Sequence, residues 1–148
     1  MRLELEYPGI PPSANHLYVT NRSGRRFLTT EGKAFKRRLI AHLAQTYGAE
    51  IAKLNPLGVY TVGFYGYYDP KRILNPTFGK KGGAKKPYKR FDASNRIKIF
   101  EDAVAEVLAI DDSSSFAVGA GKYSSALCGG VEKIVAIIEE RAIKEFGF

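Results

Sequence analysis

Cysteine is nearly missing from this chain: Cys128 stands alone among 148 residues. A lone thiol excludes an internal disulfide framework and a thiolate zinc cluster, both of which need several. No stretch approaches the roughly 18 consecutive apolar residues of a membrane-spanning helix. The opening MRLELEYPGI alternates charge with bulk, unlike the apolar run of a secretory signal. Acid is also scarce, with 15 Asp and Glu against 23 Lys and Arg and a formal charge of +8. Core material is not scarce: 45% of the residues are apolar, which argues against wholesale disorder. Residues 1–148 suit a single domain. The expectation is a soluble cytoplasmic protein.

The basic surplus is local. Between Asp69 and Arg90 lie Lys71, Arg72, Lys80, Lys81, Lys85, Lys86, Lys89 and Arg90 against one acid, so the rest of the chain carries only +1. Pro70, Pro76 and Pro87, with three glycines, argue against a regular element there. Residues 69–91 therefore read as a long, mobile, basic loop. Loops of that length are usually functional or disordered, and one this basic suits a polyanion, its lysines replacing counterions along phosphates. Charge alone leaves an acidic membrane surface or an acidic protein partner open.

Hydrophobic periodicity places the elements. Residues 2–7 alternate with period two as a half-buried strand, ended by Pro8, Gly9, Pro11 and Pro12. A polar stretch through Arg26 reads as loop. Thr29 or Thr30 caps a helix running to about Leu54, with Phe35, Leu39, Leu43 and Tyr47 inside and Lys33, Lys36 and Arg37 on a solvated face. Residues 57–68 read as a strand whose Tyr65, Tyr67 and Tyr68 either pack or stack on bases. A second helix from about Ser94 to Leu108 precedes strands at 116–123 and 131–139 around a Gly129-Gly130 turn, and residues 140–148 read as a tail. The order β-α-β-(basic loop)-α-β-β gives an α+β domain with a small mixed sheet. His16 reads as a hydrogen-bonded loop histidine or a phosphate contact, His42 as structural, and Cys128, without a His or acid in register, as unreactive.

The second helix and its flanks hold a candidate acidic site. Ile97, Phe100, Val104, Val107 and Leu108 form its apolar stripe, while Asn95, Lys98, Asp102 and Glu106 fall opposite. Asp92 precedes the helix and Asp111-Asp112 follow it. Carboxylates of this kind hold hard divalent cations, which activate water and neutralise charge on a phosphodiester, and a lysine beside them stabilises the same charge. Simpler assignments stand beside this one. Asp92 or Ser94 can cap the helix, Asp111-Asp112-Ser113 can be a turn, and Lys98 with Asp102 can be an i,i+4 pair. Ser113, Ser114 and Ser115 can touch phosphate or merely line that turn.

The run Asp92-Ala-Ser94-Asn95-Arg-Ile-Lys98, then Asp102-Ala, then Asp111-Asp112-Ser, resembles the signature of the RusA family of Holliday junction resolvases, D-x-D-N-x-x-K followed by D-A and D-D. Pro11-Pro12-Ser13-Ala-Asn15-His16-Leu17-Tyr18 is similar to the family's PPS-x-N start, and Gly24-Arg25-Arg26 through Gly32-Lys33 fits the family's next stretch. The resemblance implies a RusA-like fold and a homodimeric, Mg²⁺- or Mn²⁺-dependent endonuclease of bacterial or prophage origin. Such an enzyme places symmetric nicks in four-way DNA junctions during recombination and repair. It implies Asp92 and Asp112 as metal ligands assisted by Asp111, Lys98 as the catalytic lysine, and Asn95, Asp102 and Asn15 in support. One departure is chemical: Ser94 stands where the family has its second aspartate. Losing that unit charge costs up to about 4 kcal/mol at roughly 4 Å and an effective dielectric near 20. Either Asp111, Asp102 or Glu101 compensates, or metal binding is weak, or the protein binds branched DNA without cutting it.

Overall fold

The computed structural model describes residues 1–89, 93–109 and 115–148, and only the backbone of residues 14, 15, 93–95 and 115–117. Its central sheet has four strands in the order β1-β6-β4-β5: β1 (Arg2–Pro8), β4 (Val59–Tyr68), β5 (Ser115–Ser124) and β6 (Lys133–Arg141). β1 and β6 run antiparallel, as do β6 and β4, while β4 and β5 are parallel, so the sheet is mixed. The parallel pair needs a crossover, supplied by α3 (Pro70–Ile73) and α4 (Ala93–Leu108). The α+β reading holds in its strand and helix order.

β4 shows why one face is covered. Its side chains alternate, and Tyr60, Val62, Phe64 and Tyr68 are buried while Thr61, Tyr65 and Tyr67 are half-exposed. Beneath the buried face pack α2 (Thr30–Ile51), through Phe35, Leu39 and Leu43, and α4, through Ile97, Phe100, Ala103 and Val104. Phe64 meets Phe100 edge to face at 5.8 Å between centroids. Thr29 caps α2, its hydroxyl accepting from the Gly32 amide at 3.0 Å. Gly32 has a packing reason as well, since a Cβ there would collide with the Leu17 carbonyl.

Three expectations are corrected. The stretch before α2 is not plain loop: it forms α1 (Ala14–Leu17) and a hairpin of β2 (Tyr18–Thr20) and β3 (Arg26–Leu28). Asn21 closes the hairpin, its Oδ1 accepting from the Arg25 amide at 2.9 Å and the Ser23 hydroxyl at 2.8 Å, with Gly24 at φ +81°. The basic segment opens with a helical turn rather than none. Asp69 caps α3 by accepting from the Lys71 amide, and Pro70 sits where a missing N–H is harmless. The tail includes a helical turn at Ile143–Phe146, and β6 extends to Arg141. His42 is structural as expected, its Nε2 lying 3.1 Å from the Glu6 carbonyl and its ring edge-on to Tyr7. Cys128 is tied locally, its Sγ donating to the Ser125 and Val131 carbonyls.

Candidate active site and nucleic-acid interface

α4 runs antiparallel to the strands it joins. Its first turns lie near Tyr68 at the end of β4, and its last residues lead towards β5, which starts beside Tyr60. Asp92 immediately precedes this helix, and Asp111 and Asp112 follow its end; all three lie outside the described residues, as do Arg90, Ser113 and Ser114. Sixteen residues make a helix about 24 Å long at roughly 1.5 Å per residue. The acids of the motif are thus attached at opposite ends of one rod. Ser94 and Asn95 fall in its first turn and Asn15 in α1, with their backbones described.

Of the helix face read as polar, Lys98, Asp102 and Glu106 are exposed. The i,i+4 pair between Lys98 and Asp102 is not formed; among the described residues Lys98 has no acid partner within 4 Å. Glu106 pairs instead with Lys36 of α2 at 3.0 Å. Burial raises the Tyr18 hydroxyl above its usual pKa and the Asp102 charge adds to that, opposed by Arg26. The Arg26 guanidinium lies 4.3 Å over the Tyr18 ring. Among the described residues, no three His, Cys, Asp or Glu side chains converge as a metal cluster.

Sequence reasoning missed the polar knot at the start of α4. Glu132, just before β6, accepts from Arg72 Nε at 2.8 Å and Nη2 at 3.1 Å and from the Asp69 amide at 2.9 Å. Burial opposes the Glu132 charge, but the Arg72 bond and the Asp69 amide outweigh it and hold this carboxyl below its usual pKa. Beside it, Arg96 donates to the Pro11 carbonyl at 2.9 Å, tying α4 to the Pro11-Pro12-Ser13 loop. Burial, then the neighbouring Arg72 cation, lowers the Arg96 pKa, and burial pushes the Tyr68 hydroxyl up to about 12. A signal existed: Arg96 adjoins the apolar stripe, where a charge needs a partner.

The basic segment folds back on itself. Asn75 Nδ2 donates to the Lys86 carbonyl at 2.8 Å and the Tyr88 carbonyl at 2.9 Å, while the Asn75 amide donates to Pro87. Lys89 closes the base, donating from its amide to the Ile73 carbonyl and from Nζ to the Lys71 carbonyl. Lys80, Lys81, Lys85 and Lys86 project from this frame, exposed and without an ion pair among the described residues. Arg72 is already engaged by Glu132 and serves as a strut. Tyr68 is wholly buried and cannot stack on a base, whereas Tyr65 and Tyr67 pack against Tyr123 on the other face of the sheet.

A small α+β domain that sets an exposed lysine between motif acids, next to a folded-back polycationic segment, has the parts of a phosphodiester-cleaving nuclease. A family model described as Endodeoxyribonuclease RusA matches residues 8–134, and the chain belongs to that family, whose members resolve Holliday junctions by endonucleolytic cleavage. A search of curated proteins finds no match. Among the described residues no helix is long and apolar enough to cross a membrane.

Proposed function

We propose that this protein is a divalent-cation-dependent endodeoxyribonuclease that acts as a homodimer on four-way DNA junctions. The carrying observation is α4 itself: it exposes Lys98 without an acid partner among the described residues, and in sequence the motif acids flank its two ends. Asp92 and Asp112, with Asp111 beside it, form a hard-oxygen donor set suited to Mg²⁺ or Mn²⁺. Such an ion, when bound, supplies charge neutralisation and acidified water. Lys98 then meets the growing charge on the scissile phosphate, and Lys80, Lys81, Lys85 and Lys86 hold the flanking strand. Asn95, Asp102 and Asn15 support the site. Since α4 separates the acids by about 24 Å of helix, their meeting around one ion requires a return of the chain or a second subunit. A two-fold dimer also suits matched nicks in a four-armed substrate.

A labelled four-way junction, incubated with Mg²⁺, Mn²⁺ or chelator, tests the reading. Nicks are expected only with an added cation, and Asp112→Asn should abolish them while keeping junction affinity within about threefold. Equal cutting by the wild type and the variant would refute the ligand assignment. One observation favours a second reading: Ser94 supplies a neutral hydroxyl in place of a carboxylate. Tight binding with no nicks under either ion would make the protein a non-catalytic binder of DNA structure. A third reading, a scaffold whose basic segment docks an acidic protein, predicts no affinity for the junction at all.

A further inference from the structure

Charge on this molecule has a second concentration, hidden when everything outside the Asp69–Arg90 segment is averaged. Residues 22–38 hold Arg22, Arg25, Arg26, Lys33, Lys36, Arg37 and Arg38 against Glu31 alone, and the remainder of the chain beyond both segments is net acidic. The fold gathers most of these cations onto one surface. Arg22, Arg25 and Arg26 lie on the β2–β3 hairpin, and Lys33 and Arg37 line a groove with Leu28, Ile40 and Glu106. Lys36 is the member that is spent, paired to Glu106. Arg22, Arg25, Lys33 and Arg37 are exposed and make no ion pair among the described residues.

Two features separate this surface from an ordinary solvated face. The Asn21 turn fixes the backbone that carries the arginines, so little conformational freedom is lost when they engage a ligand. The outer side of the hairpin is also apolar: Val19 and Phe27, paired across the strands, are 54% and 40% exposed, and the Arg25 guanidinium sits 5.2 Å over the Phe27 ring. A fixed ribbon with exposed guanidinium groups and an exposed aromatic ring is chemically matched to a nucleic-acid strand, phosphate to arginine and sugar or base to ring.

Its position gives it a role. The Asp102 charge of α4 acts on Tyr18 of the hairpin and Glu106 of α4 lines the groove, whereas Arg72 at the start of the basic segment acts on Arg96. From Arg96 to Glu106 is about 15 Å along the helix, and Lys98 lies between. We propose that the β2–β3 hairpin and the first turns of α2 form a second DNA-contacting surface, which holds phosphates on the far side of Lys98 from the stapled basic segment. The proposal rests on the nuclease reading and adds to it a second grip in each protomer, replacing the solvated face read for Lys33 and Arg37.

The test is equilibrium binding of a labelled four-way junction in metal-free buffer across a salt series. It compares wild type, Arg22→Gln/Arg25→Gln/Lys33→Gln, and Lys80→Gln/Lys81→Gln/Lys85→Gln. Each lost phosphate contact lowers the slope of log affinity against log salt by about 0.9. With three contacts removed from each protomer of the dimer, the hairpin variant should therefore lose about 5 from the slope and bind at least tenfold more weakly at moderate salt, and its loss should multiply with that of the segment variant. Arg22→Glu/Arg25→Glu should deepen the loss, with an unchanged melting temperature confirming a folded protein. An unaltered slope for the hairpin variant beside a weakened segment variant overturns the second grip and leaves the nuclease reading standing. An unaltered slope with changed sedimentation overturns it too, marking the surface as a contact between copies. No junction binding by the wild type overturns both readings.

Discussion

Lys98 is defined by what does not neutralise it. An i,i+4 acid, Asp102, is within helical reach, yet it forms no ion pair with Lys98, its charge acts on the Tyr18 hydroxyl, and the Lys98 side chain is exposed. Among the described residues no acid pairs with Lys98, which keeps its charge available to an anion. Lys98→Met should therefore lower the single-turnover nicking rate by about 10²–10³-fold, the usual cost of removing one charge-stabilising group. Junction affinity should stay within about threefold, since the grip lies elsewhere. Equal losses of rate and affinity would reassign Lys98 to binding. Glu132 is the opposite kind of residue, engaged on both oxygens. Its folded pKa lies below the usual carboxylate value, so its contribution to stability is present above the unfolded pKa and is lost as pH falls through the folded one. Glu132→Gln should cost about 1–2 kcal/mol near neutrality, modest because Arg72 is half-exposed. The gap to wild type should close in urea melts taken below about pH 4, the range of an ordinary carboxylate.

Among the elements, the long periodic ones were legible and the short ones were not. β1, α2, β4, α4, β5 and β6 each carry enough residues for alternation or a buried stripe to show, and their observed bounds depart from the periodicity by a few residues. β2 and β3 have three residues each, too few to alternate, and a side chain, Asn21, joins them. α3 is a single turn created by its cap and its proline. The proline that argues against helix in an interior argues for it at the first position. Tyr68 was readable by parity with Tyr60, Val62 and Phe64, all on the buried side of β4. For Arg96 the stripe signalled that a partner was needed but not which: the Pro11 carbonyl and the Tyr68–Glu132 knot are brought to it only by tertiary packing. The motif reading placed Lys98 on an open face correctly, while the acids meant to hold the cation lie outside the described residues. Asn75 offers a test at this scale. Asn75→Ala removes both side-chain bonds across the base of the basic segment. Limited trypsin digestion should then cleave at Lys80–Lys86 several-fold faster than in wild type, with α4 intact and global stability lowered by about 1 kcal/mol per lost bond at most.

At the scale of the molecule, the length of α4 decides the architecture of the proposed site. If the cation is shared across a dimer, each site takes Asp92 from one subunit and Asp112 from the other. Mixing inactive Asp92→Asn with inactive Asp112→Asn, under conditions that exchange subunits, then yields heterodimers with one intact site and one doubly altered. Nicking of a single strand per junction should reappear, approaching half the wild-type rate per heterodimer. If each chain holds its own ion, every site in the mixture carries one substitution and no nicks return. Both outcomes keep the ligand assignment, and the gel separates them.

The Asn75 closure has an effect on how such a protein can change. It draws the two legs of the segment together at Ile73–Asn75 and Lys86–Lys89, so residues 77–84 bridge a fixed gap whatever their number. Doubling the length of such a tip adds only about 0.6 kcal/mol of closure entropy. In the proposed enzyme, insertions, trims and exchanged tips would therefore retune which DNA arm is held without disturbing the closed base of the segment, so that substrate preference and the cutting apparatus would be free to diverge at separate rates.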